Sequence, residues 1–501
     1  MITSLEMRIL EQNSVAYGVP TRLLMENAGA SIAKEIVNRV KPPAEVVVFA
    51  GKGGNAGDGF VAARHLAQYG FKVKVILLYD KLLIKNEDAK ANLEILERME
   101  KTVEITKLTP NLLTPLCTDV IVDAILGVGI KAPLREPVKS AIEVMNKSEG
   151  LKVAVDVPSG LNPDTGEIAD NAVKADLTVT FHDIKPGLLK AKEYVGELVV
   201  AKIGIPPEAS VFVGPGNVMF EVPRKPKDAH KGVGGKVAVI GGSETYTGAP
   251  ALAALAALRT GSDLAFVIAP EKTAYVISSY SPNIIAIKYE GKYLTTNVIS
   301  KIVEFLRKVD AIIVGPGLGV QEETFEAIIE LLRSIIELKK PVVVDADGLK
   351  ALAREHLIFH GKAVLTPHMA ELAGLSNTNV GYVRENRENI CSLVSKKYEA
   401  VVLSKGPIDI ISDGEKLVYN KTGNPGMSVG GTGDTLSGIV GALLAKGVSP
   451  FKAAYLGAFI NGLAGDLAHM VYGERILATD IIDRIPEVLE KPMESYVRVY
   501  G

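Results

Sequence analysis

An α/β fold, built as two consecutive parallel-sheet domains, is predicted by three features of the sequence. Short β-branched runs alternate with amphipathic stretches, glycine-rich loops follow directly on several of the runs, and a polar, proline-containing segment divides the chain. At 501 residues the chain exceeds the size at which one hydrophobic core keeps growing, so two large domains are expected.

In the first half the runs fall at residues 45–50, 72–78, 119–124, 152–157 and 177–181, with helical segments such as 61–69 between them. That alternation reads as βαβ units around a parallel sheet buried on both faces. The segment 221–232, EVPRKPKDAHKG, marks the boundary and gives domains 1–222 and 223–501. A second series follows at 236–241, 263–268, 311–314, 341–344, 363–365 and 400–403, with helical stretches such as 324–338. No fixed-period repeat relates the halves.

A composition of 47% hydrophobic and 23% charged residues, with 48 Gly and 26 Pro, argues for a globular chain with many tight turns rather than a disordered one. The formal charge of -2 supplies no positive field, so nucleic acid is not an expected partner. Cys117 and Cys391 stand outside any metal pattern and are expected as ordinary buried thiols in a reducing compartment. The first twenty residues carry acidic and polar groups at helical spacing, unlike a signal peptide. The apolar stretch 249–258 is about half the length that spans a bilayer. A cytoplasmic protein without membrane association is expected.

Run 45–50 leads straight into GKGGNAGDGF and a helix, a setting in which glycines admit a phosphate to helix N–H groups. A structural tight turn is the competing explanation for such a motif alone. Two further loops strengthen it: VDAILGVGIKAPL sets Asp123 at a strand end, and VDVPSGLNPDTG sets Asp156 and Ser159 at another. Ligand sites of open parallel sheets form outside the carboxyl ends of the strands, so these loops are expected to converge on one crevice.

These three loops resemble the N-terminal domain of NAD(P)H-hydrate epimerases, a Rossmann-like three-layer fold, over about the first 210 residues. The resemblance implies a potassium ion held by Asn55, Asp123 and Ser159. It also implies hydrated nicotinamide nucleotide bound by Gly54, Asn55, Ala56, Gly57 and Asp58, by Gly127, Val128, Gly129, Ile130, Lys131, Ala132 and Pro133, and by Asp156. The chain departs from the family's N-N-G-G-D-G at Gly54 and Ala56; the latter matters only if that residue needs positive φ. Inversion at C6 of the hydrated ring needs a positioned acid/base group, for which Asp156 is the nominee. Lys185 in HDIKPG is a weaker candidate for that role and is expected rather at the surface or facing a phosphate.

In the second half, GNPGMSVGGTGDTLSGIVGALLAKG places glycines at 430, 431 and 433 and Asp434 at the start of a helix. Backbone N–H groups there can face an anion while Asp434 acts as a base on a hydroxyl; a turn with Asp434 as helix cap is the plainer alternative. The pattern resembles the anion hole and catalytic aspartate of ribokinase-like kinases. With IIVGPGLG, VVDADGLKAL and VLTPHMAELAGL it resembles the ADP-dependent NAD(P)H-hydrate dehydratases of that superfamily.

That resemblance implies dinucleotide contacts at Ala249, Gly319, His368 and Asp434. It implies ADP contacts at Lys405, Gly406, Pro407, Ile408, Asp409 and Gly433, with Mg²⁺ on the donor phosphates. Asp409 replaces a usual threonine, so its nucleotide contact is expected through backbone. Asp345 and Asp347 orient a magnesium-phosphate complex through water or cap a turn.

The combined expectation is a homo-oligomeric bifunctional repair enzyme. It would epimerise R- and S-NADHX and NADPHX and dehydrate the S form with ADP, giving AMP and phosphate. A vitamin-precursor or sugar kinase carrying a nucleotide-sensing first domain is the alternative.

Overall fold

The computed structural model describes residues 1–109, 112–129, 132–226, 228, 230 and 232–501. Two compact units are present, Met1–Pro207 and Glu208–Gly501. The break therefore precedes the polar segment at 221–232. The stretch 208–221 packs within the second unit: Phe212 forms a bridge with Tyr419, and the helix Pro215–Glu221 sends Glu221 to Lys452 and Tyr455.

The first unit is a seven-stranded parallel sheet. Its strands are β1 (Glu45–Ala50), β2 (Lys72–Leu77), β3 (Val103–Lys107), β4 (Cys117–Ala124), β5 (Glu149–Val155), β6 (Leu177–Phe181) and β7 (Glu197–Ala201), in the order β3-β2-β1-β4-β5-β6-β7. Five of its seven strands were expected; the edge strands β3 and β7 were not, being only partly covered. Buried residues such as Val48, Val122 and Val155 pack with the helices Thr21–Arg39 and Gly54–Gln68 on one face, and Phe49, Ile121 and Ile142 lie in the cluster on the other. Order reverses between β1 and β4, which opens a crevice at their carboxyl ends.

Cys117 corrects the expectation of two buried thiols. It is exposed at the first position of β4, before the strand enters the covered part of the sheet, whereas Cys391 is buried.

The second unit carries β8 (Lys236–Ile240), β9 (Leu264–Pro270), β10 (Ile284–Tyr289), β11 (Ala311–Val314), β12 (Val342–Val344), β13 (Ala363–Leu365), β14 (Val401–Ser404), β15 (Asp409–Ser412) and β16 (Leu417–Asn420). Their order is β10-β9-β8-β11-β12-β13-β14-β15-β16. Pairing is parallel as far as β14 and antiparallel through β15 and β16. The reversal here lies between β8 and β11. Beside it the helices Gly248–Arg259 and Thr432–Ala445 run in close contact, because alanines face Gly438: a Cβ at that position would stand 2.2 Å from the Ala253 carbonyl oxygen. Among the described residues no helix is long and apolar enough to cross a membrane.

Candidate active sites

The loops after β1, β4 and β5 are neighbours in the first sheet and enclose a cavity of about 410 Å³. Its wall includes residues 52–55 and Asp58, residues 125–129, and Asp156. Arg8 and Glu11 enter from the helix Ser4–Ala16, whose start is fixed by reciprocal bonds: Glu6 N–H donates to Thr3 Oγ1, and Thr3 N–H to the Glu6 carboxylate.

Asp156 holds a left-handed backbone with φ of 63°. Its Oδ1 accepts from Lys185 Nζ at 2.5 Å, Thr180 Oγ1 at 3.0 Å and the Phe181 N–H at 3.0 Å. Such an over-determined side chain can hold an unfavourable backbone in place. Lys185 is not the surface lysine expected: its side chain is fully buried, and Nζ also donates to Thr180 Oγ1 and the Phe181 carbonyl. A buried ammonium needs this many partners to offset its desolvation.

Asn55, Asp123 and Ser159 come together behind the cavity. Ser159 gives its N–H and Oγ–H to Asp123 at 2.7 and 2.6 Å, and the Leu126 N–H bonds Ser159 Oγ at 2.8 Å. Asn55 Nδ2 donates to the carbonyls of Leu126 and Val155. Burial pushes Asp123 up to about 6 against the hydrogen bonds from Ser159 and Ile125, and no cationic side chain pairs with it among the described residues. A concentration of oxygens around an uncompensated carboxylate fits a hard monovalent cation.

The other residues expected there are distributed unevenly. Ala56 and Gly57 are buried in the helix behind the wall, and Ala56 has ordinary helical backbone, so its methyl brings no strain. Ala132 and Pro133 are exposed outside the cavity lining, while Ile130 and Lys131 lie outside the described residues.

In the second unit, Gly431 with φ of 99° turns the chain into the helix Thr432–Ala445, and Asp434 stands in its first turn. Burial pushes Asp434 up to about 7, helped by Asp345 and opposed by Lys405. Lys405 Nζ lies 3.5 Å from where a Cβ on Gly433 would stand, at the helix start. The same Nζ donates to Asp345 Oδ1 at 3.0 Å. Thr366 Oγ1 donates to that oxygen at 2.7 Å and Ser437 Oγ to Oδ2 at 2.6 Å. Burial works against the Asp345 charge, but Lys405 and these hydroxyls hold its carboxyl below the ordinary range.

Asp347 is held by the Gly319 N–H at 2.9 Å and Lys350 Nζ at 2.8 Å. His368 caps the helix Met369–Ser376, with Nδ1 accepting from the N–H groups of Ala370 and Glu371, which leaves Nε2 as the protonated nitrogen. Ala249 occupies the first turn of the helix Gly248–Arg259, near Gly317. The 405–409 loop is clamped by Arg387, which donates to the Ser404 hydroxyl and carbonyl and to the Ile408 carbonyl. Asp409 accepts from the Gly406 N–H and Asn420 Nδ2, so its carboxylate serves the loop itself.

Residues 237–487 match the family described as NAD(P)H-hydrate dehydratase, and residues 21–187 the YjeF-related protein N-terminus. The bifunctional NAD(P)H-hydrate repair enzyme Nnr of Hyperthermus butylicus is 46% identical over 504 residues, covering 99% of this chain and 94% of that one. The protein of the same name from Pyrobaculum aerophilum is 46% identical, covering 98% of both. The chain belongs to the bifunctional NAD(P)H-hydrate repair enzymes.

Two solved structures show the fold of the repair enzyme's second unit as ribokinase-like. One is an ADP/ATP-dependent NAD(P)H-hydrate dehydratase from Bacillus subtilis co-crystallised with ATP/Mg²⁺, at 23% identity and a TM-score of 0.50 over 56% of this chain and 98% of that one. The other is a ribokinase-like superfamily protein from Enterococcus faecalis, at 24% identity and a TM-score of 0.50 over 56% and 95%. In this repair enzyme, sequence reasoning missed Glu11, Arg387 and the burial of Lys185. Helical spacing marked the Glu11 segment as a helix, but nothing in it signals a return to the glycine loop.

Proposed function

We propose that the first-unit cavity interconverts the R and S epimers of hydrated NADH and NADPH, and that the second site dehydrates the S epimer with ADP, releasing AMP and phosphate. One observation carries the reading: a carboxylate-lined cavity at the switch point of one sheet is joined in one chain to an Asp434–Lys405 helix-start centre at the other. Both act on small molecules in the cytoplasm.

Asn55, Asp123 and Ser159, with the Leu126 and Val155 carbonyls, would hold potassium and so fix the floor under the nucleotide. Asp156 presents a negative charge to the ring as positive charge develops at N1. Of the residues expected to bind the nucleotide, Gly54, Asn55, Asp58 and residues 127–129 line the cavity and would contribute the contacts.

In the second site Asp434 takes the proton of the C6 hydroxyl, whose oxygen attacks the terminal phosphoryl group of ADP. Lys405 and the N–H groups of 430–433 stabilise the charge on that group. Phosphate then leaves with the C6–O pair as N1 supplies electrons, and loss of a proton from C5 restores the nicotinamide. Both Asp345 oxygens accept from Lys405, Thr366 and Ser437, and a carboxylate so held would orient a magnesium-phosphate complex through water. The acidic surplus of Asp345, Asp347, Glu371 and Asp434 over Lys405 and Lys350 fits a divalent ion brought in on the donor phosphates. Mg²⁺ there would neutralise phosphate charge. Ala249, Gly319 and His368 contact the dinucleotide, and the 405–409 loop holds ADP.

The test follows the absorbance of restored nicotinamide from mixed R- and S-NADHX with ADP, Mg²⁺ and K⁺. Full conversion supports both activities. Conversion that halts when the S form is exhausted removes the epimerase, and no conversion removes the dehydratase.

A further inference from the structure

Three carboxyls share the wall of the first cavity with Arg8 and Lys52. Glu11, Asp58 and Asp156 all line it, and the buried Lys185 is committed to Asp156. Three donors converge on Asp156 Oδ1, one of them the buried Lys185 ammonium, for which Asp156 is the ion-pair partner. Glu11 and Asp58 are placed differently. They reach the cavity from two helices, Ser4–Ala16 and Gly54–Gln68, and neither carboxyl has a hydrogen-bond partner among the described residues.

Burial, then the Asp156 charge, push Glu11 up to about 7, against Lys185 and Arg8. Burial, then Asp156 and Glu11, push Asp58 well above the carboxylate range, against Lys185. Lys52 and Tyr79 are further ionisable groups in the wall. Interacting carboxyls of this kind titrate as a set and retain a proton near neutrality.

We propose that Glu11 carries the proton of the epimerisation, with Asp58 as the adjoining carboxyl that keeps this proton in the cavity and Asp156 as a fixed charge. The proposal rests on the reading of this cavity as the epimerase site. Glu11 gives its proton to the C6 hydroxyl, the C6–O bond breaks, and the oxygen leaves with the bonding pair as water. The N1 lone pair forms the N1–C6 double bond. Water then adds to the opposite face, the pair returns to N1, and the proton shed by the water restores the Glu11 carboxyl directly or through Asp58. No oxidant or reductant is needed.

The experiment starts the full chain on pure R-NADHX without ADP and separates the epimers by chromatography over a pH series. For the wild type, the rate is expected to fall as pH rises through about 7. Glu11→Gln should lower kcat about 100-fold with KM within about threefold, and Glu11→Asp should recover about a tenth of the wild-type rate. Asp58→Asn should leave the ionisation near 7 in place, since Asp58 is held protonated while Glu11 ionises and adds no like charge to it, and should slow the step that returns the proton. Thermal unfolding identifies folded variants; should Glu11→Gln not fold, the Glu11→Asp and Asp58→Asn profiles decide. A Glu11→Gln rate within about threefold of wild type with an unchanged profile overturns the proposal, as does equal impairment of the Gln and Asp variants. Failure of the wild type to exceed the protein-free rate overturns the epimerase reading itself.

Discussion

Lys185 Nζ lies 2.5 Å from Asp156 Oδ1, with the lysine side chain wholly removed from solvent. Removing one partner of a buried pair strands the other's charge, at a cost of about 3–5 kcal/mol. Lys185→Met is therefore expected to lower stability of the first unit by about that amount, and Lys185→Met combined with Asp156→Asn by less than Lys185→Met alone. Calorimetry of the full chain, reading the transition of the first unit, checks both.

Gly127 faces the Asn55 carboxamide so closely that a Cβ would stand 2.3 Å from Oδ1. Asn55 is pinned by two carbonyls and cannot yield. Gly127→Ala should abolish R-to-S conversion while ADP-dependent dehydration of S-NADHX persists. It should also remove any rise in thermal midpoint that KCl produces over a bulky organic cation. Chromatography of the epimers and paired melting curves check these outcomes.

In the proposed dehydration Asp434 acts as a base and must be ionised. Its carboxyl is pushed up to about 7, so the active fraction shrinks as pH falls below that value. The kcat/KM for S-NADHX should drop about tenfold for each pH unit below about 6, while Asp434→Asn is inactive across the range. A flat wild-type profile between pH 5 and pH 8 would contradict the assignment.

Gly438 meets backbone, not a flexible side chain, across the helix crossing. Gly438→Ala should cost about 3 kcal/mol or more in stability of the second unit, since the helices must separate or distort. Urea unfolding of the full chain, followed at two wavelengths, measures it.

Strands covered on both faces, such as β1, β6, β11 and β13, are legible because continuous burial requires continuous apolar residues. The partly exposed β3, β7 and β10 lack that signature, and the antiparallel β15 and β16 are too short and mixed to announce themselves. The glycine loops and Asp434 are local patterns and could be read. The burial of Lys185 depends on a carboxylate from another strand end, and the place of Glu11 depends on how the first helix lies against the loop after β1; neither relation has a local trace in the sequence. Cys117 was misjudged because a thiol at a strand start shares its residue type, but not its surroundings, with one in a core.

The crossing of Gly248–Arg259 and Thr432–Ala445 also bears on how this enzyme can change. Ala249 begins one helix and Asp434 the other, and the two rods are dovetailed at Gly438. The separation of the proposed dinucleotide contact and the proposed base is thereby tied to main-chain thickness rather than to side-chain size. Substitutions in the surrounding loops can retune which nucleotide enters, but adjustment of the reacting distance itself would require remaking the seam.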